Sequence, residues 1–372
     1  MTNKNGKIRI LFIAPFPPPI HGASTMSQII KDSKLINSEF DCYYVNNSSA
    51  NSLANIGKFS IVKIWLLIKS FATIFWILLT KHINLCYLAI TCGGSGFLKD
   101  APFVLLCKLF RRIIVIHQHN KGMANYVDKQ PYKWLLPLVY KNAKVILLSW
   151  HLYPDIEKVV PKENVMICPN GIKFDDSMHI EVRKSENQVS HLLFLSNLLE
   201  SKGVYVLLDA LKILLSKGLL FYCDFVGGET KEIDKEKFAL AVNRLGLGSH
   251  VIYNGSKYGA DKERFFTDTD IFIFPTYKET FGLVLLEAMQ YKLPIVTTNE
   301  GGIPDVVQDG VNGVICERNN AESLAVAIER LLLNPELRRQ MGQKGFEILN
   351  QKFTLDKFEH RMCECLKGAL KI

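Results

Sequence analysis

The 372 residues contain no C-x2-C pair, no G-x-G-x-x-G turn and no glycine loop followed by the Lys and Ser/Thr of a P-loop. The first absence removes zinc ribbons, and nine cysteines at irregular spacing, with only Cys363 and Cys365 close together, read as thiols of a reducing compartment rather than a disulfide framework. The second and third weigh against dinucleotide oxidoreductases and P-loop phosphotransferases. A secretion signal is also missing, because the polar Met1 to Lys7 is followed by an apolar run, Ile8 to Phe16, that is too short; the expectation is a cytoplasmic protein. Acidic residues are scarce in the first half: residues 1–170 hold 20 Lys and Arg against 8 Asp and Glu, while residues 171–372 hold 25 against 28. The net charge of +9 therefore sits in one half, which suggests an anionic partner. With no helix-turn-helix, zinc or RNP-like pattern beside it, that partner reads as a phospholipid surface and not a nucleic acid.

What is present argues for two α/β domains. The length exceeds what one core comfortably fills, and 48% apolar residues supply material for two. Ile8 to Ala14 reads as a buried strand, running into a Pro-rich loop at Pro15 to Ser24 and then a helix, the usual opening of a doubly wound sheet whose ligands gather at strand carboxyl ends. Phe59 to Thr80 is long enough for a membrane span, yet contains Lys63 and Lys69. Ile61, Ile64, Trp65, Ile68, Phe71, Phe75, Leu78 and Leu79 recur at helical spacing, as expected of a helix covering the sheet. Greasy outer positions flanked by Lys58 and Lys81 would also suit shallow burial in an anionic leaflet, so core helix, interfacial helix and span all stay open.

Ile83 to Ile90 reads as a strand, Thr91 to Gly96 as a flexible loop, and Phe97 to Phe110 as a helix. The strand Arg112 to Ile116 runs into His117-Gln118-His119, two imidazoles at a strand carboxyl end. A His-x-His pair could bind metal, but no third ligand accompanies it. Asp268-Thr269-Asp270 precedes a strand, away from the ligand side, and reads as a structural turn; no metal is expected.

The densest signal lies at Pro275 to Met289. Asp270 to Phe274 is a short strand, and the apolar stretch after Gly282 is a helix, giving strand, turn, helix. Glu279 lies in the turn. Glu287 stands in a nearly all-apolar helix, where a buried carboxylate needs a partner. The eight-residue step between them spans at most about 12 Å along a helix axis, roughly the distance from a hexose to a ribose across a diphosphate. The helix start between them would hold the phosphates.

This stretch resembles the E-x7-E signature of retaining, nucleotide-sugar-dependent glycosyltransferases of the GT-B fold, glycosyltransferase family 4. The resemblance implies two Rossmann-like doubly wound domains facing across a cleft: an acceptor-side domain over residues 1–172, a linker at 173–190, a nucleotide-sugar domain over 191–352, and a C-terminal helix, 353–372, crossing back. It places Glu279 near the donor sugar and Glu287 at the nucleotide ribose, with Thr280, Phe281, Gly282 and Leu283 between them. Gly22 and Ala23 match small residues where donor phosphates and acceptor approach. His119, with His117 as fallback, matches a donor-sugar histidine. Pro169-Asn170-Gly171 resembles the family's hinge loop, and Gly301-Gly302 its glycine pair. In the loop after the strand His191 to Leu195 the family carries an Arg and a Lys on the diphosphate; Lys202 matches the Lys, whereas Asn197 stands at the Arg position. Gly227 and Gly255 end strands that lie beside the nucleotide base.

The implied reaction transfers a hexose-type sugar with retention to an acceptor hydroxyl, without an obligatory metal or cofactor; catalytic roles fall to Glu279, His119 and Lys202. The basic first half adds a lipid-linked saccharide acceptor of cell-surface polysaccharide synthesis, at the inner face of the membrane. Two competitors are a nucleotide-sugar epimerase, which would need no acceptor, and a non-catalytic nucleotide-sugar-binding protein, which the Asn197 departure suggests.

Overall fold

The computed structural model describes residues 6–18, 21–48, 61–174 and 189–371, with only the backbone at 61–63. The chain divides into two compact units, Met1–Asn170 with Asp356–Ile372, and Gly171–Leu355. Most of the segment read as a linker, 175–188, lies outside the described residues, as do Phe59 and Ser60.

The first unit is built on β1 (Arg9–Ala14), β2 (Asp41–Asn46), β3 (Leu85–Ala89), β4 (Ile113–His117), β5 (Ala143–Leu147) and β6 (Val165–Ile167), in the order β2-β1-β3-β4-β5-β6. All pairings are parallel. The central strands are buried along their whole length, which is why they read as apolar runs and not as alternating patterns. The strand order reverses between β1 and β3, the place where such sheets open a crevice at the strand carboxyl ends. The final helix, Leu355–Leu370, lies in this unit, with Lys367 Nζ 2.6 Å from Glu39 Oε2.

The second unit repeats the plan with β7 (Ser190–Leu195), β8 (Phe221–Val226), β9 (Val251–Tyr253), β10 (Ile271–Phe274), β11 (Ile295–Thr298) and β12 (Gly313–Cys316), ordered β12-β11-β10-β7-β8-β9 and again all parallel. Its reversal falls between β7 and β10. One core of Leu, Phe, Val and Ile side chains joins β7, β8 and the Val204–Ser216 and Ala321–Leu332 helices. Asp270 serves this framework: its carboxylate accepts from His191 N at 2.8 Å and its own N–H donates to His191 O, tying the starts of β7 and β10 together.

Three expectations are corrected. The helix spans Ile61–Thr80, but most of the stripe assigned to the core faces outward: Ile64, Trp65, Ile68, Phe71, Phe75 and Leu79 are exposed, while Leu78 is buried as expected and Ile74, outside the stripe, is buried with it. When nearly a whole helix is apolar, periodicity does not say which face turns inward. Here Ser70 Oγ donates to Asn46 O at the end of β2, and Phe71 and Phe75 meet Phe103 and Phe110, which fixes the rotation. No described helix is long and apolar enough to cross a membrane. Second, the glycine run is not all loop, because the next helix begins at Gly94 and covers Gly94–Leu109. Third, Glu287 is half-buried rather than enclosed, and Lys262 Nζ meets its carboxylate at 2.8 Å.

Candidate active site

Two loops meet at the carboxyl ends of β7 and β10, and the sequence dictates how closely. After β7 the chain makes a short 3-10 turn, Glu200–Lys202, and then needs a left-handed residue to enter the Val204–Ser216 helix; Gly203 supplies it with φ +81°. A side chain there would also collide with Pro275, whose carbonyl oxygen would lie 2.3 Å from a Cβ. This contact lets the loops zip together, with Tyr277 N donating to Ser201 O at 2.9 Å and Thr276 Oγ1 to the same oxygen at 3.1 Å.

The zipper brings Lys202 to Glu279. Lys202 Nζ lies 2.7 Å from Glu279 Oε2, donates to Lys278 O at 3.2 Å and sits 5.5 Å from the Phe274 ring centroid. The other carboxylate oxygen of Glu279 accepts from Thr280 N at 2.8 Å. Both side chains keep 18% of their surface exposed, enough for a ligand to reach them. A charge-assisted pair of this kind fixes both groups before any substrate arrives.

A third loop, after β11, supports them. Glu300 is 1% exposed, with Oε2 2.7 Å from Arg318 Nη1 and Oε1 3.4 Å from Glu279 N. Gly301, at φ +54°, passes so close that a Cβ would fall 2.3 Å from Glu279 O, and Gly302 N donates to Thr280 O at 2.8 Å. The glycine pair thus lets one backbone lie on another. Past Thr280 and the buried Phe281, Gly282 in a left-handed conformation caps the helix Leu283–Gln290 without a side-chain bond. Its first amides lack intrahelical partners, so this mouth is a place where negative oxygens are welcome. Glu287 is the fifth helical residue, about 6 Å along the axis from the start.

The remaining predicted positions of this unit lie at neighbouring strand ends. Asn197 is exposed, and its Oδ1 accepts from Gly228 N at 3.1 Å. Gly227 follows β8 and donates its N–H to Gly255 O at 2.9 Å, so Asn197, Gly227 and Gly255 form one chain of loops. Glu300 and Lys262 are residues that sequence reasoning missed. The signal for Glu300 was available: a carboxylate just beyond an apolar strand, next to two glycines.

In the first unit Gly22 opens the helix Gly22–Asp32, whose N-cap is His21: its Nδ1 accepts from Ser24 N at 3.3 Å, and Ser24 Oγ accepts from His21 N at 2.9 Å. His117, the last residue of β4, is fully buried and shares a 2.6 Å hydrogen bond with the Tyr87 hydroxyl. Its ring centroid is 4.0 Å from that of His119. Both ring nitrogens of His119 are closed off from solvent and have no hydrogen-bond partner among the described residues. Burial, with a smaller contribution from His21, pushes His119 down to about 4, so it is neutral near pH 7. Burial, aided by His119, also holds His117 well below the ordinary imidazole range.

Comparison with known proteins bears on the fold around this site. Residues 178–348 match the family "Glycosyl transferases group 1". A glycosyltransferase from Rickettsia africae superposes with a TM-score of 0.74 at 18% identity, over 98% of this chain and 99% of that one. The fold is GT-B. Anabaena HepE, in a structure with UDP and glucose, shares this GT-B fold with a TM-score of 0.72 at 19% identity, over 97% of this chain and all of its own. Among curated relatives, the capsular polysaccharide biosynthesis glycosyltransferase CapM of Staphylococcus aureus is 29% identical over 194 residues, 50% of this chain and 49% of its own length. The chain spans about half to three-fifths of the length of the curated relatives it matches first.

Proposed function

We propose that the protein is a retaining glycosyltransferase that moves a sugar from a nucleoside diphosphate to an acceptor hydroxyl, as a lipid-linked saccharide, in cell-surface polysaccharide assembly at the inner face of the membrane. The Lys202–Glu279 pair at the β7/β10 reversal, directly before the Leu283 helix mouth, carries the reading. Lys202 and the helix start would hold the diphosphate and oppose the charge that grows on it as the glycosidic bond breaks. Glu279, released from Lys202 by the incoming phosphate, would accept from sugar hydroxyls. Glu287, already paired to Lys262, would accept from the ribose. The reading needs no metal, since Lys202 supplies the positive charge.

In the first unit His119 is assigned to the donor sugar, where a neutral imidazole can donate or accept one hydrogen bond without bringing charge. Relatives named as transferases in polysaccharide and lipopolysaccharide synthesis support transfer over epimerisation or binding alone. The test is a thermal-shift screen of nucleoside diphosphates and their sugars, followed by turnover with the one that binds. A ligand at about 100 times its dissociation constant adds roughly 2.7 kcal/mol. Lys202→Ala should abolish most of that shift; an undiminished shift in this variant would remove the proposed donor site.

A further inference from the structure

Among the described residues, the outward face of the Ile61–Thr80 helix is left largely uncovered, with Phe75 meeting Phe110 at one edge. Ile64, Ile68 and Phe75 fall on one side at 100° per residue, with Trp65, Trp76 and Leu79 beside them, an apolar arc of about 120°. Their exposures run from 42% at Ile64 to 64% at Trp76. A soluble surface rarely gathers so many large apolar groups. The opposite side is committed to the protein, with Ile74 and Leu78 fully buried, so the helix cannot leave its seat to span a bilayer.

The helices beside it continue the pattern. The Gly94–Leu109 helix adjoins through the Phe71–Phe103 and Phe75–Phe110 ring contacts and exposes Leu109 at 76%. The Tyr132–Tyr140 helix adjoins in turn, receiving Lys108 Nζ on the carbonyls of Leu138 and Lys141, and exposes Trp134 at 72%. Charge decides what covers this face. Residues 61–154 hold twelve Lys and Arg against two acids, Asp100 and Asp128, and Asp100 is buried. Lys69, Lys81, Arg111, Lys133 and Lys141 are exposed, and Lys69 lies 5.4 Å from the Trp65 ring centroid, a long side chain with its stem along apolar surface and its charge at the edge. A second copy of the chain would bring like charges together. Tryptophans edged by cations suit the boundary of an anionic leaflet.

We propose that the Ile61–Thr80 helix and the two helices beside it form a docking surface that inserts shallowly into an anionic lipid bilayer. It rests on the proposed function only for the reason such docking is useful, a lipid-linked acceptor.

The full chain is sedimented with vesicles of phosphatidylcholine containing about 30 mol% phosphatidylglycerol, and with phosphatidylcholine alone, near physiological salt. The wild type should bind the anionic vesicles, with its tryptophan emission quenched by bromine-labelled lipid. Ile68→Glu with Trp76→Glu should bind at least about tenfold more weakly, because two large apolar groups no longer enter the leaflet. Leu240→Glu with Val326→Glu, at exposed positions of the second unit, should leave binding unchanged. The proposal is overturned if the wild type ignores anionic vesicles or goes unquenched, if the helix variant binds as the wild type does, or if the wild type is a dimer that the helix variant makes monomeric without lipid. Quenching uses no substitution, so it decides the matter even if the helix variant misfolds. Nucleotide-sugar thermal shifts separate the two readings: vesicle binding lost with those shifts intact removes the docking surface alone, and shifts lost with vesicle binding intact remove the donor site alone.

Discussion

The two units share a strand plan and differ in how they treat charge. In the second unit opposite charges are paired at strand carboxyl ends: Lys202 with Glu279, Arg318 with Glu300, Lys262 with Glu287. In the first, two neutral imidazoles, His117 and His119, pack against each other at the end of β4, while much of the positive charge is spread over outer helices beside apolar side chains. Loops closed by ion pairs can exchange an internal anion for a phosphate. Neutral rings behind a basic, greasy exterior offer hydrogen bonds without charge, as the role proposed for His119 at the donor sugar requires.

The comparison breaks first at Lys202. Lys202→Ala leaves Glu279 uncompensated and removes the charge meant for the leaving phosphate, so turnover should fall about 100- to 1000-fold. Glu279→Gln should fall too, while retaining more donor affinity, because Lys202 stays available. Steady-state kinetics with saturating acceptor read the difference; equal losses in donor affinity for both variants would show that the pair acts only as a loop clasp.

The next test concerns the first unit and acid. His119 titrates near 4 when folded and about 6.5 when unfolded. The unfolded chain therefore takes up a proton before the folded one does. The stability from keeping this ring neutral is complete above pH 6.5 and is lost as pH falls from 6.5 to about 4. The difference amounts to roughly 3 kcal/mol. His119→Gln should flatten that part of the curve of melting temperature against pH, and a slope as steep as the wild type's would place the acid sensitivity elsewhere.

How much of this was legible depended on whether a residue's place could be read from its own neighbours in sequence. Strand runs, Gly282 before its helix and Glu279 in its turn could be read so, whereas Lys202 was singled out by the family resemblance. Glu300 was not, since its reason for being buried is supplied by Glu279 N and, 18 residues on, by Arg318. The Ile61–Thr80 helix was found, but its inward face was misread, because two competing apolar stripes satisfy the same periodicity. Only the bond from Ser70 to Asn46 O and the contacts with Phe103 and Phe110 choose between them.

Glu300 sharpens the contrast within the second unit. Glu300→Gln keeps the shape and removes the charge behind Glu279, leaving Arg318 half-exposed and able to turn to water. The stability cost should therefore stay near 1–2 kcal/mol, below that of breaking a fully buried pair. The turnover loss should exceed what that stability loss explains, because the one amide oxygen left cannot accept from both Arg318 and Glu279 N. Comparing melting temperature with kcat for this one variant separates support of the fold from support of the site.

The smallest effect is expected at Asn197. Its Oδ1 closes the loops after β7 and β8 by accepting from Gly228 N, a bond of about 1 kcal/mol, so Asn197→Ala should lower stability by that order with modest change in donor affinity. Asn197→Arg loses the same bond but adds a cation beside the loops that Lys202 and Gly227 occupy. If the diphosphate lies there, kcat should rise relative to Asn197→Ala by about tenfold, the effect of roughly 1.4 kcal/mol of added charge stabilisation. If both variants lose the same activity, position 197 serves the fold alone, and Lys202 is left as the cation on which the charged half of the molecule depends.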